Sequence, residues 1–409
     1  MRPSASWNGC WASRLVNMAG NAARLVLDRG RTAWETRAAL KAWEQVAPEV
    51  QGHVPVIAYY GSGAQYLYQI RDWLQPLERV AEQVPVAIMV RDPRVALELQ
   101  DMTSVPVVLA RWLADIDRVM TDHSPDVLLY VNQNVSNFDV LAYARPHHVF
   151  LSHGESDKVY MVSNQAKAYD RTFVAGQAAV DRYASALHDF DVQEKLTVVG
   201  RPQASIHEEP PSDLPDTPLP QTVVYAPTTE GSSVVMEYGS LASHGVQLVS
   251  ALLASGKYRV IFRPHPQAGR RLRSHAQAVD EITALIDSTP GGHYVDHTAH
   301  FGWHRDVADA LVCDISAVAV DWLPTGKPLV ITEPVQQAAP ILDGGMLAQT
   351  SLLPAGRAGN IVQALDEAGE PEALVRQEAW TDYYFAPGDV GTFVSAVLEL
   401  VAAGSAGPE

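Results

Sequence analysis

The sequence predicts an α/β protein made of two domains, each built on a parallel β-sheet. From residue 54 onward, short apolar or β-branched runs alternate with helix-like stretches, a pattern typical of parallel sheets covered on both faces. A chain of 409 residues exceeds one ordinary core, so two domains are expected. The stretch 205–221 is rich in proline and acidic residues, separates two series of strands and is interpreted as a linker.

Composition excludes several classes of protein. The chain is 47% apolar and 19% charged, as in soluble globular proteins. Its net charge of −17 argues against a nucleic-acid partner. The only cysteines are Cys10 and Cys313, too few and too far apart for a disulfide framework or a cysteine zinc site. The sequence contains neither a transmembrane-length apolar run nor a secretory signal pattern, so a cytoplasmic protein is expected.

The N-terminal segment, residues 1–45, differs in charge from the rest of the chain. It is predicted to be an amphipathic helix interrupted at Gly30, with seven basic residues against three acidic ones, or +4, while the remainder carries −21. A basic amphipathic helix can make a peripheral contact with the inner face of the cell membrane. Packing of the same helix on the first domain is the simpler interpretation, and the sequence leaves both open.

The first domain, residues 46–204, is predicted to hold seven strands. They are expected at Val54–Tyr60, Val84–Val90, Val105–Leu109, Val127–Val131, Val149–Ser152, Arg171–Ala175 and Leu196–Val199. A Gly61-Ser62-Gly63 tract follows the first strand, but it is too short to be the dinucleotide-binding fingerprint.

The second domain, residues 222–388, is predicted to hold five strands. They are expected at Thr222–Tyr225, Tyr258–Phe262, His293–Val295, Leu311–Cys313 and Pro328–Ile331. The stretch Val312–Thr332 has the pattern of a compact strand–helix–strand unit. An apolar-faced helix at Val390–Ala402, within the final segment 389–409, is expected to cross back to the first domain.

Chemically capable side chains follow the ends of predicted strands, where open α/β sheets bind ligands. In the first domain His153, Gly154 and Lys158 follow the fifth strand; a histidine there could accept a proton from an attacking hydroxyl, and a lysine could balance an anionic substrate. A histidine bonded only to strand-end carbonyls remains the alternative.

In the second domain three strand ends carry similar chemistry. Thr228 follows the first strand, and the rigid Arg263-Pro264-His265-Pro266 follows the second and suits a phosphate clamp. Asp314 and Ser316 follow the fourth, at a helix start whose unpaired amides favour anions. A simple turn at residues 263–266 and a purely capping Ser316 are the structural alternatives. The histidines and acids near His300 and His304 lack the supporting pattern of a metal site, so neither metal nor cofactor is predicted.

Four segments occur in one order that matches a known family. They are Ser152-His153-Gly154 with Lys158, Tyr225-Ala226-Pro227-Thr228, Arg263-Pro264-His265-Pro266, and Asp314-Ile315-Ser316-Ala317 with Asp321-Trp322-Leu323 and Lys327-Pro328. Together they resemble the CDP-glycerol glycerophosphotransferases, the teichoic-acid primases and polymerases of the GT-B architecture, over residues 145–400. The resemblance implies two Rossmann-like domains, acceptor and donor, that face a cleft.

The resemblance also implies roles for the matching residues. His153 would be the catalytic base, with Gly154 and Lys158 on the acceptor side. His265 would bind or protonate the leaving phosphate oxygens. The remaining donor-side or phosphate-binding residues would be Arg263, Asp314, Ser316, Asp321, Thr228 and Lys327. The implied partners are a CDP-activated polyol donor and a lipid-linked or polymer acceptor.

The chain departs from the family pattern at three places. Glu155-Ser156-Asp157 replaces the usual Thr-Pro-Leu, Thr229-Glu230 replaces Trp-Arg, and Ala317 replaces a serine. Two acids beside the base and a lost arginine leave the acceptor and the donor polyol open. The competing interpretations are a GT-B glycosyltransferase that uses a nucleotide sugar and a non-catalytic nucleotide-binding relative.

Overall fold

The computed structural model describes residues 31–158, 161–205, 208–231, 233–298, 301–335, 345–348 and 350–405. Most of the basic N-terminal segment therefore lies outside the described residues, as does His300. Residues 31–46 form helix α1, where the sequence predicts the second helical piece. The Trp43 side chain of α1 is buried in the core of the first domain, so this part of the segment packs on the protein.

The first sheet contains the seven predicted strands, and all neighbouring pairs are parallel. They are β1 (Val56–Tyr60), β2 (Val86–Val90), β3 (Val107–Leu109), β4 (Val127–Tyr130), β5 (His147–Phe150), β6 (Arg171–Val174) and β7 (Leu196–Val198), in the order β3-β2-β1-β4-β5-β6-β7. The side chains of β1 alternate between two buried clusters: Val56, Ala58 and Tyr60 enter one, and Ile57 and Tyr59 enter the other. Burial on both faces explains why this strand is a continuous apolar run.

Helices cover both faces of the first sheet. They are α2 (Tyr68–Arg71), α3 (Leu74–Ala81), α4 (Pro93–Gln100), α5 (Leu113–His123), α6 (Asn137–Val140), α7 (Gln177–Ala186) and α8 (Val192–Lys195). Helix α4 begins where the sequence dictates, because Asp92 accepts a hydrogen bond from the Arg94 amide and Pro93 occupies the first turn.

The second sheet contains the five predicted strands, again all parallel. They are β8 (Gln221–Ala226), β9 (Tyr258–Phe262), β10 (Tyr294–Val295), β11 (Ala310–Cys313) and β12 (Leu329–Ile331), in the order β10-β9-β8-β11-β12. Its helices are α9 (Val246–Ser255), α10 (Arg273–Ser288), α11 (His304–Val307), α12 (Ala317–Trp322), α13 (Ile361–Ala368) and α14 (Pro371–Tyr384). The predicted strand–helix–strand unit over Val312–Thr332 is confirmed by β11, α12 and β12.

The chain returns to the first sheet after α14. The Ala386 amide donates to the Ala175 carbonyl, 2.8 Å away, and α15 (Val390–Ser405) follows. Phe393 and Val397 of α15 are buried in the core of the first sheet, and the Phe393 ring lies 5.3 Å from that of Trp73.

Part of the proline-rich stretch 205–221 is hydrogen-bonded to the domain of the second sheet. Thr217 Oγ1 donates to the Gly291 carbonyl over 2.7 Å, and Arg259 Nη2 donates to the Pro215 carbonyl over 2.8 Å. The segment before β8 is thus held by hydrogen bonds. Within the described ranges, no helix combines the length and apolar character needed to cross a bilayer.

Candidate active site

A cavity of about 1210 Å³ lies between the carboxyl ends of the two sheets. Residues from both domains line it, as expected for ligand sites in open α/β sheets. Eight of the ten site residues predicted from the sequence are on its wall: His153, Gly154, Lys158, Thr228, Arg263, His265, Ser316 and Asp321.

His153 is presented by a turn with an unusual backbone. Ser152 adopts a φ of 61°, a left-handed conformation that is uncommon for a non-glycine residue. Two hydrogen bonds hold this turn: Trp73 Nε1 donates to the Ser152 carbonyl over 2.7 Å, and Ser152 Oγ donates to the Gly154 carbonyl over 3.1 Å. The strained conformation directs His153 into the cavity immediately after β5.

His265 is presented from the opposite domain with a defined tautomer. The Gln267 amide donates to His265 Nδ1 over 3.0 Å. The proton of the neutral ring is therefore assigned to Nε2, which is then a hydrogen-bond donor.

Tyr68 connects the two histidines across the cavity. Its ring meets that of His153 edge-on with centroids 6.4 Å apart, and that of His265 edge-on with centroids 5.5 Å apart. Burial raises the pKa of Tyr68 to about 12, so its hydroxyl stays protonated. Sequence reasoning missed this residue, because a tyrosine at the start of a short helix carries no distinctive local signal.

Both histidines are neutral at neutral pH. Burial, with Arg201 and Lys158 nearby, lowers the pKa of His153 to about 4. Burial, with Arg263 and Lys158 nearby, lowers the pKa of His265 to about 3. His153 is consequently ready to accept a proton, whereas His265 can donate a hydrogen bond but is not a cationic acid at neutral pH.

Lys158 extends from the first domain to the second. Its Nζ donates to Thr228 Oγ1 over 3.3 Å and lies 5.4 Å from the centre of the Tyr238 ring. Burial lowers the pKa of Lys158 to about 8, against the opposing influence of Asp314. A bound anion would favour its charged form.

Gly154 allows the two domains to approach closely. A Cβ added at Gly154 would lie 2.9 Å from the Cβ of Ala317 at the start of α12. Both residues belong to the matched motifs, so the motif residues also form a contact between the domains. Ser316, just before α12, makes no side-chain cap bond to the helix; its Oγ instead donates to the Asp314 carbonyl over 3.2 Å.

Arg201 pairs with Asp321 across the cleft. Nε lies 3.0 Å from Oδ1 and Nη2 lies 3.3 Å from Oδ2, a two-pronged ion pair between the segment after β7 and helix α12. Asp72 lies in the same electrostatic environment: burial, with Asp321 and Glu208 nearby, raises its pKa to about 7 despite Arg201. Neither Arg201 nor Asp72 was predicted to be a site residue, although the sequence shows Arg201 at a strand end.

Arg263 lies deep in the part of the cavity that the second domain forms. Its Nε is 3.8 Å from Asp296 Oδ2, and its guanidinium lies 5.6 Å from the centre of the Phe301 ring. The same Asp296 carboxylate lies 2.9 Å from His304 Nε2. Asp296 and His304 thus belong to a buried charge network around Arg263, and the described residues contain no cluster suited to a metal ion.

Glu230 occupies the position where the family pattern has an arginine. Its carboxylate accepts hydrogen bonds from the amides of Gly269, Arg271 and Leu272 over 3.1, 2.8 and 3.1 Å. These bonds hold the loop before α10, which places Arg270 and Arg271 at the cavity wall. The cavity thus obtains arginines from another loop.

Asp314 and Lys327 do not line the cavity. The buried Asp314 carboxylate accepts from the amides of Thr228 and Ser240 over 2.6 and 3.1 Å, and from Thr332 Oγ1 over 2.6 Å. It thereby holds three loops of the second domain in place.

The expectation that Lys327 binds phosphate is not supported by its position. Lys327 Nζ donates to the carbonyls of Arg305 and Ala308 over 2.7 Å each, and it also lies 5.8 Å from the centre of the Trp322 ring. The two hydrogen bonds attach the turn between α12 and β12 to the end of α11.

Glu155 and Asp157, the two acids beside the expected base, face away from the cavity. Glu155 pairs with Arg182 of α7 over 2.8 Å, and Asp157 accepts a hydrogen bond from the Tyr384 hydroxyl. Their presence in the sequence is therefore no argument against an anionic acceptor, contrary to the sequence-based interpretation.

Solved structures with the same fold include proteins of different activities. The wall teichoic acid polymerase TagF, soaked with CDPG, has a TM-score of 0.57 and 12% identity, covering 96% of this chain and 98% of that chain. A candidate UDP-N-acetylglucosamine 2-epimerase from Listeria monocytogenes has a TM-score of 0.56 and 14% identity, covering 85% and 95%. A glycosyltransferase from Rickettsia africae has a TM-score of 0.50 and 10% identity, covering 87% and 100%.

These similarities confirm the predicted GT-B-like fold with two Rossmann-like domains. No protein-family model matches the sequence, and the comparison with curated proteins gives no match. Proteins with this fold include an epimerase and transferases. The fold alone therefore does not determine the reaction, which depends on the residues of the site.

Proposed function

We propose that this protein transfers a polyol-phosphate unit, such as glycerol phosphate, from a CDP-activated donor to an acceptor hydroxyl and releases CMP. The observation that carries the proposal is the arrangement of His153 and His265, two neutral histidines from different domains that both contact Tyr68 in one cavity. Such an arrangement suits transfer between two substrates, because one group can accept the proton of the attacking hydroxyl while the other binds the departing phosphate.

His153 acts on the acceptor. It accepts the proton of the attacking hydroxyl while the acceptor oxygen forms a bond to the β-phosphorus of the donor. The bond from that phosphorus to the bridging oxygen breaks, and its electron pair leaves with CMP. The lowered pKa of His153 keeps the ring unprotonated, and the negative donor phosphates would raise this pKa towards the operating pH, which strengthens the base.

The second domain acts on the departing phosphate. His265 donates a hydrogen bond from Nε2 to a phosphate oxygen, while Arg263 lowers the energy of the charge that develops on CMP. Phosphoryl transfer depends mostly on such positioning and charge stabilisation. Arg270 and Arg271, on the loop held by Glu230, add positive charge at the cavity wall.

The acceptor half of the cavity includes the cations Arg71 and Lys158. With Glu155 and Asp157 directed elsewhere, a lipid-linked or polymeric anionic acceptor is compatible with this wall. Teichoic-acid-like or capsular polymer synthesis is the corresponding process.

A donor panel tests the proposal. CDP-glycerol, CDP-ribitol, CMP-sugars and UDP-sugars are each added to the protein in a thermal-shift assay, and nucleotide release is then measured with acceptor present. A ligand at 100 times its Kd stabilises the folded state by about 2.7 kcal/mol, so the true donor raises Tm most.

The proposal predicts the largest shift for a CDP-polyol, together with CMP release. UDP release from a UDP-sugar would instead establish a nucleotide-sugar glycosyltransferase. Binding of a CDP compound without turnover of any donor would establish a non-catalytic nucleotide-binding protein. Either result contradicts the proposed transferase.

A further inference from the structure

Residues 154–158 form a segment with two distinct faces. Gly154, Ser156 and Lys158 line the cavity, whereas Glu155 and Asp157 point to the opposite side and are buried. This alternation is that of extended backbone, in which successive side chains point in opposite directions. One face carries groups of the proposed active site, and the other is available to fix the position of the segment.

Arg182 holds the rear face from within the first domain. It lies on α7, and its Nη1 donates to Glu155 Oε2 over 2.8 Å, while its Nη2 lies 3.8 Å from Asp157 Oδ1. The Arg182 side chain is only 8% exposed and that of Glu155 only 12%. A buried charge pair of this kind is costly to separate, because either partner alone would be left without compensation.

Tyr384 holds the same face from the other side. Its hydroxyl donates to Asp157 Oδ2 and accepts from the Met346 amide over 3.1 Å. Tyr384 is the last residue of α14, immediately before the chain crosses back to the first domain. At this crossing a Cβ added to Gly176 would lie 2.5 Å from the Tyr384 carbonyl oxygen, so the crossing is packed directly on the start of α7.

We propose that Tyr384 and Arg182 are positioning residues, which hold residues 154–158 from behind and so fix His153 and Lys158 in the cavity. The packing of the chain after α14 against the first domain is thereby coupled to the positions of His153 and Lys158. The effect of this coupling on catalysis rests on the proposed transferase function. The mechanical link between Tyr384 and the segment does not.

Two adjacent tyrosines give a matched comparison. Tyr384→Phe removes the hydroxyl that contacts Asp157 and keeps the ring. Tyr383→Phe removes the neighbouring hydroxyl, which donates to the exposed Asp181 over 2.7 Å outside the cavity. Both variants are made in the full chain, and their Tm values are measured to show that they fold.

The first measurement is hydrogen exchange of peptides covering residues 151–158, and it needs no substrate. Tyr384→Phe is expected to accelerate exchange there by about tenfold, since a buried hydrogen bond to a charged group is lost. Tyr383→Phe is expected to leave exchange there unchanged. Equal exchange in the two variants would overturn the link.

The second measurement is donor turnover by the same proteins. Tyr384→Phe is expected to lower kcat by about tenfold with donor KM within about threefold, because Arg263 and His265 do not depend on this hydroxyl. Tyr383→Phe should match wild type. Faster exchange with an unchanged kcat would overturn the positioning role. Faster exchange in a protein that turns over no CDP donor would uphold the link and refute the proposed function.

Discussion

Arg201 and Asp321 form a two-pronged ion pair that joins the two domains at the cavity, with Nε and Oδ1 3.0 Å apart. The Arg201 side chain is 8% exposed and that of Asp321 is 18% exposed. The pair is therefore removed from water far more than an ordinary surface pair, and it lies where the relative position of the domains determines the site.

Asp321→Asn should destabilise the protein, because it leaves the buried Arg201 guanidinium without its carboxylate. Removal of one partner of a buried pair costs about 3 kcal/mol or more in unfolding free energy. Urea unfolding measures this loss. The control is Glu82→Gln, which breaks the Arg79–Glu82 pair, 59% and 56% exposed, and should cost less than about 1 kcal/mol. Similar losses in the two variants would contradict the account.

Gly154→Ala should impair turnover by forcing the domains apart at Ala317. The added Cβ would lie 2.9 Å from the Ala317 Cβ, and a shift of about 1 Å in reacting groups can cost on the order of 100-fold in rate. Ala317→Gly in the same chain should restore much of the activity. Gly356→Ala is the control, since nothing lies within 4 Å of its added Cβ. If the double variant does not recover turnover, the contact between residues 154 and 317 is not the cause of the loss.

The contribution of His153 and His265 to stability should fall as the medium becomes acidic. The ordinary histidine pKa of 6.5 is lowered in the folded protein to about 4 for His153 and about 3 for His265, mainly by burial. These two histidines therefore bind more protons in the unfolded chain below pH 6.5, and the stabilisation that they contribute above that pH is lost as the pH falls towards 3 to 4.

His265→Gln tests this dependence because it removes one of the two histidine rings. Its free energy of unfolding, measured between pH 7 and 4, should decline less steeply than that of the wild type. His188→Gln, at an exposed position, should retain the wild-type slope. A wild-type slope in His265→Gln would show that this ring does not titrate as described.

Glu230→Gln should weaken donor binding. The carboxylate accepts three backbone amides of the loop that carries Arg270 and Arg271, whereas an amide side chain offers one acceptor oxygen. Loss of hydrogen bonds to a charged group should raise the donor KM by about fivefold to tenfold. Glu281→Gln, exposed on the following helix α10, is the matched control. An unchanged KM in Glu230→Gln would mean that these arginines do not bind the donor.

The strands were predictable because their signal is local. All twelve expected strands are present, and their apolar runs reflect burial on both faces of each sheet. Strand-end motifs such as His153-Gly154 and Arg263–Pro266 could be predicted equally well, since parallel strands place their carboxyl ends at one edge of the sheet.

The contacts between distant residues were not predictable from pattern. Tyr68 meets two histidines from different domains, and Glu155 is paired with a residue on α7. The sequence shows that Glu155 and Asp157 are acidic and close to His153, but it does not show which face of the backbone they occupy. The same limit of sequence-based prediction applies to Lys327. Its position in the motif predicted a phosphate-binding side chain, whereas its Nζ donates hydrogen bonds to backbone carbonyls.

The most direct test of the central claim is CMP release by His153→Gln. General-base catalysis contributes about 100-fold to 10,000-fold to rate, so turnover of the CDP-polyol donor should fall by at least about 100-fold. The Kd for the donor should change by less than about threefold, because His153 acts on the acceptor. Undiminished CMP release by His153→Gln would contradict the assignment of His153 as the base.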